Sequence, residues 1–184
     1  VDLLNALQTN ERFRNMRLTR YVNRVERETE TQFSAVTIKI GDDLSFISFR
    51  GTDNTIIGWK EDLNMSFIFP VPAQESAVRY LESVAEILPG NIILGGHSKG
   101  GNLAVYASAF CSKELQRRIV AAYNFDGPGF NEQILSTPQY KGISEKAITF
   151  VPQSSVVGML LEHEEDYTIV KSDQKNGLLQ HDIY

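Results

Sequence analysis

The chain predicts an α/β fold: a mixed, mostly parallel sheet flanked by helices on both faces, with an antiparallel hairpin near one edge. Three observations carry this expectation. Apolar runs of strand length recur through the sequence and stop at Gly, Pro or Asp; stretches of helical period separate most of them; and two of the runs are joined by the short turn Gly41-Asp42-Asp43. Strands that alternate with helices call for crossover connections, which lay the strands parallel and set helices over the sheet. The turn between 33–40 and 44–49 is too short for a crossover, so that pair is antiparallel.

Taken in order, Val1 to Leu7 has apolar residues at helical spacing, and the polar, charged stretch through Arg27 carries no clear period. Residues 1–30 are therefore read as a lead-in to one domain spanning 1–184. Phe33 to Ile40 and Leu44 to Phe49 alternate as strands do. After Pro72, Ala77, Val78, Leu81, Val84, Ala85 and Leu88 recur at threes and fours until Pro89-Gly90, which predicts a helix. Asn91 to Gly95 is a short apolar strand, and the stretch after Gly100, through Ala107, is a helix of small residues. Further strands are expected at Ile119 to Phe125, Ala147 to Val151 and Tyr167 to Val170.

A length of 184 residues suits a single core. The net charge of −5 argues against nucleic acid as a partner, because phosphate backbones are bound through accumulated Lys and Arg. Arginines between Arg12 and Arg27 are interleaved with Glu and read as a solvated face. Cys111 is the one cysteine, which excludes an internal disulfide and fits a reducing, cytoplasmic setting. No apolar run reaches the length of a membrane span.

Gly96-His97-Ser98-Lys99-Gly100 lies between the strand ending near Gly95 and the small-residue helix. That is the setting in which Gly-x-Ser-x-Gly lifts a serine clear of a sheet on a sharp turn. Ser98 is thus the candidate nucleophile. Glycines two positions to each side leave room for the backbone to reverse. A phosphate-binding loop is the other glycine-rich possibility, but Gly101-Asn102 stands where that motif needs Lys followed by Ser or Thr. A serine hydroxyl also needs donors for the oxyanion that its attack creates. One comes from the residue after the nucleophile, Lys99, and the other from a neighbouring strand-end loop. Phe49-Arg50-Gly51-Thr52-Asp53 is such a loop, which assigns the second amide to Thr52.

Phe49-Arg50-Gly51-Thr52, with Trp59 and Asp62 following, and then Gly96-His97-Ser98-Lys99-Gly100-Gly101-Asn102-Leu103-Ala104, resemble the class 3 lipases of the α/β-hydrolase superfamily. Asn124-Phe125-Asp126-Gly127-Pro128-Gly129-Phe130 and Gln180-His181-Asp182 add a closer resemblance to a bacterial family related to those lipases. The likeness runs from about Phe33 to the C-terminus. It implies an α/β-hydrolase-like fold, Ser98 as nucleophile and Thr52 as the oxyanion-loop residue.

The general base must be one of three histidines. His97 adjoins Ser98 within the elbow and is expected to be structural. His163 sits among Glu162, Glu164 and Glu165 and reads as part of a solvated loop. His181 follows the last strand, giving the chain order Ser, acid, His found in this fold, and is the candidate base. Class 3 lipases carry the acid just after the strand that matches Ala147 to Val151, where this chain has Pro152-Gln153-Ser154-Ser155. Asp126, at the end of the preceding strand, is the preferred substitute, with Asp166 and Glu162 in reserve. An Asp before Gly-Pro-Gly can also serve only to close a turn.

Trp59, Phe67 and Phe69 belong to apolar stretches after the oxyanion loop and are candidate substrate-binding residues. The function expected is a serine hydrolase of carboxylic esters or acyl lipids, with no metal and no cofactor. A non-catalytic binding protein on the same fold, or a thioesterase or acyltransferase using the same residues, is the alternative.

Overall fold

The computed structural model describes residues 2–26, 31–52 and 69–181. Trp59 and Phe67 lie outside the described residues. Helix α1 (Asp2–Thr9) is followed by strands β1 (Arg17–Glu26), β2 (Thr31–Lys39) and β3 (Leu44–Phe49), helix α2 (Pro72–Ala85), strand β4 (Asn91–His97) and helix α3 (Lys99–Phe110). Then come α4 (Lys113–Arg118), β5 (Ile119–Phe125), α5 (Glu132–Leu135), α6 (Pro138–Lys141), a 3₁₀ turn (Ser144–Lys146), β6 (Ala147–Pro152), β7 (Tyr167–Val170) and α7 (Gly177–Gln180).

The seven strands form one sheet in the order of the chain. β1, β2 and β3 pair antiparallel, and β3 through β7 pair parallel. The sheet is mixed and mostly parallel, as the alternation of strands and helices predicts. β1 corrects the reading of the first thirty residues as a lead-in, because ten of them form an edge strand. The register slips between Thr19 and Val22, and Arg20 there has φ 56°. A bulge breaks the two-residue period, and an edge strand buries little, so the pattern that marks the inner strands is lost here.

The strands bury one set of alternate residues fully. Phe33, Ala35, Ile47, Phe49, Ile92 and Leu94 meet Ala73, Ala77, Leu81 and Val84 of α2 and Leu103, Ala104 and Ala107 of α3 in one cluster. A second cluster continues it along the sheet, where Val105, Tyr106 and Ala109 of α3 meet Ala122, Phe130, Tyr140 and Ala147. α3 lies between the two clusters and is buried from Lys99 to Ala109, which is why its residues are small and show no polar face. Phe46, Ile93, Tyr123 and Phe150, on the opposite face, are half-buried. The carboxyl ends of β3, β4, β5 and β6 converge at one edge of the sheet, where ligands bind in parallel folds.

Candidate active site

The elbow is built by close approach. Ser98 follows β4 directly, caps the amino end of α3, and has φ 57° and ψ −133°, a conformation that costs a non-glycine residue about 1–3 kcal/mol. Its N–H donates to Phe125 O at 2.9 Å, tying the turn to the end of β5. A Cβ on Gly96 would stand 2.5 Å from Phe49 O, and one on Gly100 would overlap the same carbonyl. These two glycines therefore let the elbow press on the end of β3 as well as on its own helix. From the other side, a Cβ on Gly51 would lie 2.7 Å from His97 O and 3.2 Å from Ser98 Cβ. The Gly51-Thr52 loop thus runs directly alongside Ser98.

Lys99 is the first residue of α3, so the positive end of the helix dipole lies at the serine. Its side chain leaves the site: it is buried, and Nζ donates to Gln32 O at 2.9 Å and Gln32 Oε1 at 2.8 Å. The nucleophile helix is thereby fastened to β2.

Asp126 also has positive φ, at 54°, and is 3% exposed. The turn that carries it is closed by another residue. Asn124 Oδ1 accepts from Gly127 N–H at 2.9 Å, and Asn124 Nδ2 donates to Gly127 O at 3.3 Å. Asp126 N–H donates to Phe150 O at 2.8 Å, and its side chain is left to point elsewhere.

That side chain meets His181. Asp126 Oδ2 lies 2.7 Å from His181 Nδ1, and His181 Nε2 lies 2.9 Å from Ser98 Oγ. A carboxylate only accepts, so Nδ1 carries the proton and Nε2 is free to accept from the serine hydroxyl. Ser98, His181 and Asp126 are therefore joined in one line of hydrogen bonds. Glu162 and Asp166, the reserve carboxylates, are exposed, and Glu162 pairs through its backbone with Phe130. His97 turns its ring onto that of His181, with centroids 4.6 Å apart. Phe69 is half-buried and packs on the second core cluster.

His163 corrects the sequence reading: its side chain is 5% exposed, and it is paired with Glu165 at 3.1 Å. Burial raises the carboxyl of Glu165, but hydrogen bonds from His163, Thr149 and Tyr140 outweigh it and hold the group at about 2. Burial lowers His163, and the Glu165 hydrogen bond and charge together with the Gly158 carbonyl more than offset it, so its pKa is raised. Three glutamates around one histidine look like a solvated loop in sequence, yet one of them, Glu165, turns inward.

Asn102 and Gln74 escaped the sequence reading. Asn102 Nδ2 donates to Pro128 O at 3.1 Å and Gly129 O at 2.9 Å, and Asn102 Oδ1 accepts from Gln74 Nε2 at 2.9 Å. This buried chain fixes the loop after Asp126 to the nucleophile helix. Its sequence signal is a polar residue, Asn102, among the small and apolar residues of α3.

Among the described residues, His97, Asp126 and His181 form a grouping of metal-ligand type, with donor atoms within 4.8 Å of one another. Both ring nitrogens of His181 are already engaged, so a cation there would displace Asp126 or Ser98.

No helix among the described residues is long and apolar enough to cross a membrane. No curated protein matches the sequence. Among solved structures, the chain resembles a deletion variant of Rhizomucor miehei lipase in its propeptide complex, with TM-score 0.58 and 15% identity over 91% of this chain and 64% of that one. It also resembles a fungal lipase bound to an inhibitor, with TM-score 0.54 and 16% identity over 78% of this chain and 60% of that one. M37 lipase gives TM-score 0.53 and 16% identity over 85% of this chain and 61% of that one. The chain spans less than two thirds of the length of each of these lipases. At such identities the likeness is one of fold, a lipase-like α/β-hydrolase fold. The family model described as Mbeg1-like matches residues 7–184, almost the whole sequence, and the chain belongs to the Mbeg1-like family.

Proposed function

We propose that the protein is a serine hydrolase of carboxylic esters, acting through an acyl-enzyme on Ser98. The observation that carries the reading is the continuous line Ser98 Oγ, His181 Nε2, His181 Nδ1, Asp126 Oδ2, with separations of 2.9 and 2.7 Å. In this reading Ser98 Oγ attacks the acyl carbon while its proton passes to His181 Nε2. Asp126 stabilises the imidazolium so formed without taking the proton itself. The backbone amides of Thr52 and Lys99 hold the oxyanion, the second at the positive end of α3. Collapse of the tetrahedral intermediate expels the alcohol, which takes the proton from His181. A water then gives its proton to the same nitrogen and attacks the acyl carbon; the acyl–Oγ bond breaks, Oγ takes the proton back from His181 Nε2, and the acid leaves.

Acyl lipids are the substrate class in this reading, which the lipase-like fold supports. In this reading Trp59, Phe67 and Phe69 are the residues assigned to the acyl chain, of which only Phe69, half-buried against the second core cluster, is among the described residues. A thioester donor or an alcohol acceptor would use the same residues, so the choice of ester is a matter of turnover on a panel. The nucleophile is tested by covalent labelling: a fluorophosphonate should phosphonylate the native protein, and Ser98→Ala should abolish the label. Label retained by the Ala variant would remove Ser98 from the mechanism.

A further inference from the structure

Asp126 has one oxygen on His181. The other, Oδ1, is buried and has no hydrogen-bond partner among the described residues. It faces Gly158, where an added Cβ would overlap it, and Val151 Cγ1 closes the same space at 2.9 Å from that Cβ. Packing against Gly158 therefore sets the rotation of the carboxylate, a task that hydrogen bonds to the second oxygen would otherwise share.

The Gly158 peptide is held at both polar ends. Its N–H donates to Ser155 Oγ at 3.1 Å, and its carbonyl accepts from His163 Nε2 at 2.8 Å. His163 Nδ1 lies 3.1 Å from Glu165 Oε1. Both ring nitrogens thus face oxygens that only accept, so both carry protons and the ring is an imidazolium. Glu165 is anchored in turn to the core, by Thr149 Oγ1 at 2.6 Å and Tyr140 Oη at 2.5 Å. The result is a path from the second core cluster through Glu165 and His163 to Gly158 and so to Asp126.

We propose that His163, as a buried imidazolium paired with Glu165, is a positioning residue for Asp126: it holds the Gly158 peptide against Oδ1 and so aims Oδ2 at His181. This rests on the reading of Ser98, His181 and Asp126 as a catalytic triad. The raised pKa of His163 agrees with the doubly protonated ring. The ionisable groups around it are Glu165, Tyr140 behind Glu165, the flanking Glu162 and Glu164, and Tyr167, whose ring centroid lies 5.9 Å away.

The test compares His163→Gln, Gly158→Ala and the double variant. Gly158 lacks positive φ, so Ala disturbs the contact with Asp126 rather than the backbone. The low-field NMR resonance of the His181 Nδ1 proton should shift or broaden in both single variants. On a p-nitrophenyl ester, kcat should fall tenfold or more, up to about a hundredfold, the scale of an ångström of misplacement, with KM little changed. The double variant should lose no more than the worse single one, because both act on one contact. A folded His163→Gln with the native resonance and native kcat would overturn the proposal, and so would additive losses. If His163→Gln fails to fold, nitrogen-15 shifts of the native protein decide: His163 must be doubly protonated at neutral pH, and a neutral ring overturns the proposal. Absence of ester turnover in the native protein would sink the hydrolase reading, while the resonance would still decide the positioning.

Discussion

His181 Nδ1 and Asp126 Oδ2 stand 2.7 Å apart although 55 positions separate them in the chain, and Asn124, not Asp126, closes the turn between β5 and the next segment. The carboxylate is thus free of turn duty. Asp126→Asn should leave the unfolding midpoint close to native and lower turnover by about 10⁴-fold, because the amide selects the wrong imidazole tautomer. Steady-state kinetics beside thermal unfolding separates the two effects. Near-native turnover would return Asp126 to a structural role.

Gly101 sits inside α3, where Ala is ordinarily the better helix residue by about 0.5–1 kcal/mol. Here the sign should reverse. A Cβ at 101 would overlap Asn124 Oδ1, the atom that accepts from Gly127 N–H. Gly101→Ala should cost about 1–3 kcal/mol by overpacking and slow fluorophosphonate labelling, since the Asp126 turn must shift. Urea unfolding checks the first, and a gain in stability would show that Asn124 yields at no cost.

Stability should depend on pH at both extremes through the Glu165–His163 pair. Glu165 is depressed from 4.5 to about 2, so its contribution is present above 4.5 and is lost as pH falls toward 2. His163 is raised, so its contribution is present below its unfolded pKa and fades as pH climbs through its folded one. Thermal midpoints measured against pH should fall on both sides, and Glu165→Gln should flatten the acid limb. An acid limb unaltered in that variant would assign the loss to other carboxylates.

Cys111 is buried and burial pushes its thiol up to about 12, with Sγ donating to Ser108 O at 3.5 Å. The thiolate is the reactive form, so a maleimide should leave the native protein unlabelled at pH 8. Labelling should then follow the unfolding curve in denaturant. Rapid labelling of the folded protein would place Cys111 at the surface.

The inner strands were legible because their residues obey local rules. Leu44–Phe49 and Ile119–Phe125 end where their apolar runs meet turn residues, and the stop at Pro89-Gly90 closes the run of helical spacing that holds α2. β1 was not legible, because a bulge and an exposed edge erase the period that burial imposes. The inward turn of His163 and Glu165 was hidden for a related reason. Charge in a sequence suggests solvent, and only two partners from distant positions, Tyr140 and Thr149, together with neighbouring His163 make that burial affordable.

By itself the sequence determined the sheet from β2 onward, the turn that carries Ser98 and the residue types available at the site, since periodicity and glycine placement act over a few neighbouring residues. Only the tertiary structure decided which carboxylate meets His181, because three were within reach of the chain and the choice depends on where strand ends lie in space. It also decided that Asn102 ties two loops, that Gly158 rather than a donor faces Asp126 Oδ1, and that Lys99 points away from the serine it follows. Each of these is a contact between segments far apart in the chain, set by packing against a common sheet rather than by local preference.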